Sequence, residues 1–237
     1  MKRIAFFVEG QTEQIFINSL AREMLGNQHL NIIQKQFRGG TNVPKQEIVI
    51  SRCLSKRPFY EILIFDCGSD NRVKSEILDN IISLRSNGYS MIIGLRDLYP
   101  IPIDELDRLQ KGLKFLPNRY KKEAPYFDIV IAIHEIETWF LAETTHFQRI
   151  DKRLTGQFIN EKLGFNPYII DPESRVHPAK DLNDIYQLVG KSYTKRFGQT
   201  QRIMNKLSFY NIIRNLRYEL KPLNKIITIL SRLKENK

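Results

Sequence analysis

Ile4-Ala5-Phe6-Phe7-Val8-Glu9-Gly10-Gln11-Thr12-Glu13 is the stretch on which the fold turns. A short apolar run bounded by glycine reads as a buried strand, and Gly10 permits a tight turn after it. From residue 11 to 25 the apolar positions Phe16, Leu20 and Met24 recur at helical spacing. Glu9 therefore stands at the C-terminal tip of a strand, and Glu13 in the first turn of a helix. In open α/β sheets that edge is where ligands bind.

Three more strong apolar runs follow: Ile62-Leu63-Ile64-Phe65, Met91-Ile92-Ile93-Gly94-Leu95 and Ile129-Val130-Ile131-Ala132-Ile133. Asn31 to Gln36 is a weaker strand. Helical patterns are expected over 44–55, from Ser69 or Asp70 to about Ser86, over 103–116 and around Phe140-Leu141-Ala142, with loops at Gly39-Gly40-Thr41-Asn42 and 117–126. Strands that alternate with helices, and are apolar throughout, predict a mainly parallel sheet with helices on both faces. Beyond residue 143 the pattern is helical, with segments at 156–163, 179–190, 199–217 and 222–234. The expected organisation is an α/β core over 1–142 and a helical lobe over 143–237 that belongs to the same domain.

Each strong strand ends at or near an acid: Glu9, Asp66, Asp97, then Glu135 and Glu137. About one residue in nine is acidic, so four of four by chance is an event of roughly a few per cent. Clustered carboxylates repel unless a cation neutralises them. Mg²⁺, or Mn²⁺, suits hard oxygen ligands of this kind. The candidate ligands are Glu9, Asp66, Asp97 and Glu137, with Glu13 as a further catalytic group. Each acid also has a structural reading: Glu13 suits a helix dipole, Asp66 can cap the turn at Gly68, Asp70 can cap a helix, and Asp97 precedes a Pro-rich loop. Glu135 and Glu137 straddle a strand-to-helix switch, so spacing does not say which faces the site. His134 beside them is a candidate ligand, base or phosphate contact, or a structural histidine.

The net charge of +11 is uneven: residues 186 to 237 hold 12 Lys/Arg against 2 Asp/Glu. Such asymmetry points to a polyanion, nucleic acid before membrane. Lys180, Lys191, Lys195 and Arg196, with Tyr193 among them, have the mix of cations and aromatic expected on a nucleic-acid surface. Gly39-Gly40 could approach a phosphate. Two cysteines give neither a disulfide framework nor zinc spacing. No apolar run approaches the roughly 20 residues of a membrane span, and the N-terminus lacks a signal-peptide pattern, so a cytoplasmic protein is expected.

Val8-Glu9-Gly10-Gln11-Thr12-Glu13 resembles the opening motif of Toprim-like proteins, the topoisomerase–primase fold. Phe65-Asp66-Cys67-Gly68, Ile92-Ile93-Gly94-Leu95-Arg96-Asp97, Glu135-Ile136-Glu137-Thr138-Trp139-Phe140-Leu141-Ala142 and Tyr193-Thr194-Lys195 extend the resemblance, towards a group of small bacterial Toprim-like proteins of unknown function. It implies a Rossmann-like sheet with Glu9 as the acid at the first strand tip. The related overcoming-lysogenization-defect nucleases hold two divalent metals with such an acid, a second four residues on, and a later Asp pair. Glu9 and Glu13 match the first two. Asp97-Leu98-Tyr99 departs from the Asp-x-Asp pair, and Glu137 is the substitute the pattern offers. Relatives often act with an ABC- or SMC-type ATPase in phage defence, which would make this chain the effector of such a pair.

The expectation is a Mg²⁺-dependent endonuclease acting on DNA or RNA. A non-catalytic subunit that binds nucleic acid or an ATPase stays open, as does a metal-dependent phosphatase or nucleotidyl-transfer enzyme.

Overall fold

The computed structural model describes residues 1–39 and 43–235. Six strands form one sheet: β1 (Lys2–Val8), β2 (Leu30–Arg38), β3 (Gln46–Cys53), β4 (Tyr60–Asp66), β5 (Tyr89–Asp97) and β6 (Phe127–Ala132), in the order β3-β2-β4-β1-β5-β6. β1 runs parallel to β4 and to β5, β2 runs parallel to β4, and β3 closes the edge antiparallel to β2. Ten α-helices are described: α1 (Gln11–Leu25), α2 (Asp70–Ser86), α3 (Leu106–Lys114), α4 (Glu137–Ala142), α5 (Thr145–Ile150), α6 (Gly156–Leu163), α7 (Pro178–Gln187), α8 (Phe197–Met204), α9 (Phe209–Arg214) and α10 (Lys221–Glu235). This is the mixed α/β architecture, with a mainly parallel sheet, that the strand–helix alternation predicts.

The chain forms two compact units. The first comprises residues 1–96, 104–131 and those from Thr228 on; the second comprises 97–103 and 132–227. β5 and β6 each pass from the first unit into the second at their last residue.

In the first unit, the apolar run of β1 is buried from Ile4 to Val8, as a central strand covered on both faces must be. Phe7, Phe37 and Phe65 stack on neighbouring strands, with ring centroids 4.6 Å apart for Phe7 and Phe65 and 4.9 Å for Phe37 and Phe65. Val73, Ile77 and Ile81 of α2 pack into the same core. Gly94 of β5 makes that packing possible. A Cβ there would stand 2.8 Å from Ile129 and 2.9 Å from Val73. In the second unit, α4 packs on α7, and Trp139, Phe140, Phe147, Leu182 and Ile185 are fully buried.

Several local expectations are corrected. The helix expected over 44–55 is the edge strand β3. Its Ile48-Val49-Ile50 run is β-branched and stiff, a composition that favours an extended strand. Residues 118–126, expected as loop, form 3-10 helix. The long helix expected over 199–217 is broken into α8, α9 and a 3-10 turn at Leu216–Tyr218, with Ser208 capping α9 through Asn211 N–H. Gly40, Thr41 and Asn42 lie outside the described residues, and with them the expected loop and phosphate approach at Gly39-Gly40.

Candidate metal centre

The site in the second unit is built on two chain segments held side by side. Leu98 N–H donates to the Ala132 carbonyl at 2.9 Å, and Tyr99 N–H to the His134 carbonyl at 2.8 Å. These bonds place Asp97 beside the segment that carries Glu135 and Glu137. His134 then turns the chain with a left-handed φ of 58°, which costs a residue with a Cβ about 1–2 kcal/mol. Its Nε2–H donates to the Glu173 carbonyl at 3.0 Å, so a structural bond holds the bend. Asp97 Oδ1 accepts the Ile136 N–H at 2.8 Å, where α4 begins.

One carboxylate oxygen each of Asp97, Glu135 and Glu137 lies within 4.8 Å of the others. The turn at His134 settles what spacing left open, for both glutamates join Asp97. Asp97 is 5% exposed and Glu137 fully buried.

Three carboxylates so placed need cations, and Lys195 supplies one. Its Nζ stands 2.7 Å from Glu135 Oε1 and 3.1 Å from Glu137 Oε2. Glu137 Oε1 accepts the Tyr193 hydroxyl at 2.6 Å, while Oε2 is buried and accepts no hydrogen bond. The Tyr193-Thr194-Lys195 segment is itself tied down. Asn183 Oδ1 accepts Tyr193 N–H, and Gln199 Oε1 accepts from both Thr194 N–H and Thr194 Oγ1. Lys195 carries the second positive φ outside glycine, 56°. Residues are kept in such conformations only where their surroundings over-determine them.

The pKa shifts follow this arrangement. Burial pushes the Glu137 carboxyl up, and Glu135 adds to that against the opposing pull of Lys195 and Tyr193. Burial works against the Lys195 ammonium, but Glu137, Glu135 and Asp97 outweigh it and hold its pKa above the ordinary lysine value.

The donor set fits a divalent ion. It is all hard oxygen, and one ammonium against three carboxylates leaves an excess of negative charge. Asp97, Glu135 and Glu137 are the residues that would hold it.

The other expected residues make the following contacts. In the first unit, Glu9 follows β1, its N–H donating to Leu95 O at 3.2 Å. Glu13 accepts the Gly10 N–H at 3.0 Å and so closes the start of α1. Asp66 accepts from Gly68 N–H at 2.8 Å and from Gln36 at 3.1 Å, and burial raises its carboxyl pKa. Asp70 pairs with Arg96 at 2.6 Å. These are the turn and cap roles open to Glu13 and Asp66. On the basic side, Lys180 pairs with Asp184 at 2.5 Å, Lys191 is half-buried and Arg196 exposed. Tyr193, expected on a nucleic-acid surface, is 3% exposed; its ring is in the core and its hydroxyl on Glu137.

Sequence reasoning missed the pairing of Lys195 and Tyr193 with Glu137. They lie 58 and 56 residues away, and no local pattern signals such a contact. A buried polar knot was also missed. The Nδ1–H of His146 donates to the Glu143 carbonyl and Nε2 accepts the Tyr186 hydroxyl at 2.7 Å. The Glu143 carboxylate meanwhile takes Ser208 N–H and Asn211.

A family model described as a domain of unknown function, DUF4276, matches residues 8–214. The chain belongs to that family. No curated protein and no solved structure gives a significant match. Among the described residues no helix is long and apolar enough to cross a membrane.

Proposed function

We propose that the protein is a Toprim-like, divalent-metal-dependent nuclease that hydrolyses phosphodiester bonds. The observation that carries the reading is the convergence of Asp97, Glu135 and Glu137 oxygens within 4.8 Å. The acid-tipped parallel strands β1, β4 and β5, with Glu9 and Asp66 at two of the tips, support the Toprim-like part of it. An ion held by the triad would supply positive charge at the phosphate and lower the pKa of its bound water.

The chain's own residues have separate tasks. Tyr193 fixes the rotamer of Glu137 through its hydroxyl. Asp97 orients its carboxylate by accepting the Ile136 N–H. Lys195, paired with Glu135 and Glu137 and with a side chain 40% exposed, is the cation at the rim that would meet a phosphate oxygen. The basic excess of residues 186 to 237 suits a polyanionic substrate.

A non-catalytic reading is favoured by one observation: Lys195 already neutralises part of the triad. In that case the fold would bind nucleic acid, or a partner ATPase, without cleaving.

Purified protein incubated with plasmid, single-stranded DNA and RNA, with Mg²⁺, Mn²⁺ or EDTA, separates the two. Metal-dependent cleavage that Glu137→Gln abolishes is expected. Cleavage that persists in EDTA and in Glu137→Gln would sink the nuclease reading. Glu9→Ala tests whether the acid at the tip of β1 serves the same reaction.

A further inference from the structure

The basic surface expected around Tyr193 is not a stacking surface, because that ring is buried. Exposed aromatics occur instead further along the second unit. Residues 196 to 218 carry five Lys/Arg and no Asp/Glu. Within them Arg202, Lys206, Tyr210, Arg214 and Tyr218 recur at four-residue intervals, and all five are exposed. The inward positions Ile212, Leu216 and Leu220 keep the same interval and are buried. α8, α9 and the 3-10 turn at Leu216–Tyr218 break the stretch, so the row is one of sequence: three cations and two tyrosines exposed, with apolar anchors buried between them.

The exposure is large for such rings, 66% for Tyr210 and 76% for Tyr218. Each has a guanidinium near its ring: Arg214 lies 5.9 Å from the Tyr210 centroid and Arg217 lies 5.5 Å from that of Tyr218. Arg202 and Lys206 make no ion pair among the described residues, so their charge is available. An exposed ring costs apolar surface in water, and a partner with a flat π-face recovers it. A neighbouring cation matches a phosphate. The ligand that offers both along one chain is a nucleic acid whose bases are unstacked. A duplex hides its base faces and offers only the phosphates to such a row.

We propose that this row, centred on Tyr210, Arg214 and Tyr218, is a binding platform for single-stranded nucleic acid. Bases stack on the two tyrosines, and the backbone is held by Arg202, Lys206, Arg214 and Arg217. The inference takes its ligand class from the nuclease reading, but it is tested without metal, so either can fail alone.

The test is fluorescence anisotropy in EDTA with labelled single-stranded DNA, single-stranded RNA and duplex DNA of equal length. Single strands should bind at least about 10-fold more tightly than duplex, with the DNA and RNA arms deciding between the two sources. Tyr210→Ala/Tyr218→Ala should weaken single-strand binding by about 10-fold or more and leave the salt slope unchanged. Arg214→Gln/Arg217→Gln should flatten the slope by about one to two phosphate contacts. Tyr210, Arg214 and Tyr218 are exposed, while Arg217 is half-buried and donates to Asn224 Oδ1 at 2.8 Å; a thermal melt equal to wild type checks the fold. Equal affinity for duplex, or unchanged affinity in the tyrosine variant, would overturn the platform. Single-strand binding that depends on the tyrosines, with no cleavage in Mg²⁺ or Mn²⁺, upholds the platform and refutes the nuclease.

Discussion

Lys195 Nζ stands 3.1 Å from Glu137 Oε2, a fully buried oxygen that accepts no hydrogen bond. The ammonium is thus paired with the acids that would hold a metal ion. A bound ion would therefore compete with the lysine for the Glu137 carboxylate. Lys195→Met should lower stability in EDTA by about 2 kcal/mol, less than for a fully buried pair because the lysine head reaches solvent. Mn²⁺ should then raise the melting temperature of the variant more than that of wild type. Scanning fluorimetry with and without Mn²⁺ reads both; an equal Mn²⁺ shift in the two proteins would refute the competition.

Tyr193 is tied to Glu137 by a 2.6 Å hydrogen bond between buried atoms. Tyr193→Phe keeps the ring and removes the donor, leaving a buried carboxylate oxygen short of a partner. The expected cost is about 1–3 kcal/mol, seen as a lower urea midpoint at unchanged m-value. A midpoint within error of wild type would mean that water replaces the hydroxyl.

His146 gives the fold a pH dependence. Burial lowers its pKa to about 4, from an ordinary 6.5. The unfolded chain takes up this proton first as pH falls, so stability is full above about pH 6.5 and is lost between about 6.5 and 4. The loss amounts to about 3 kcal/mol. His146→Gln should flatten that part of the stability–pH curve measured by denaturation, whatever its effect at neutral pH.

Gly94 is where the sheet and α2 come closest. A methyl group in Gly94→Ala would meet Ile129 at 2.8 Å, Val73 at 2.9 Å and Ile77 at 3.1 Å. Overpacking of this kind costs about 1–3 kcal/mol. Shortening the neighbour with Val73→Ala in the same chain should recover part of the loss, which a double-mutant cycle would measure.

The central strands and their acid tips were legible because buried parallel strands are apolar throughout and end where glycine or an acid begins. Those signals are local and strong at Ile4 to Val8 and Ile62 to Phe65. β3 was not legible as a strand. It lies exposed at the sheet edge, so no buried face imposes an alternating pattern, and its β-branched centre alone carried the information. The triad was half legible. Asp97 follows from a strand end, but the choice between Glu135 and Glu137 stayed open, and that both join it depends on a left-handed residue at His134 that composition does not announce. The roles of Lys195 and Tyr193 come from tertiary pairing. In sequence they look like a surface patch because charge beside an aromatic is the same text in either setting.

Neither compact unit is one continuous piece of chain, and this has a consequence for synthesis. Asp97, Glu135 and Glu137 leave the ribosome well before Lys195, so for some sixty residues of elongation the acids have no lysine to neutralise them. The second unit, which runs on to Ile227, is therefore completed only after the residues that pair with its acids have been made.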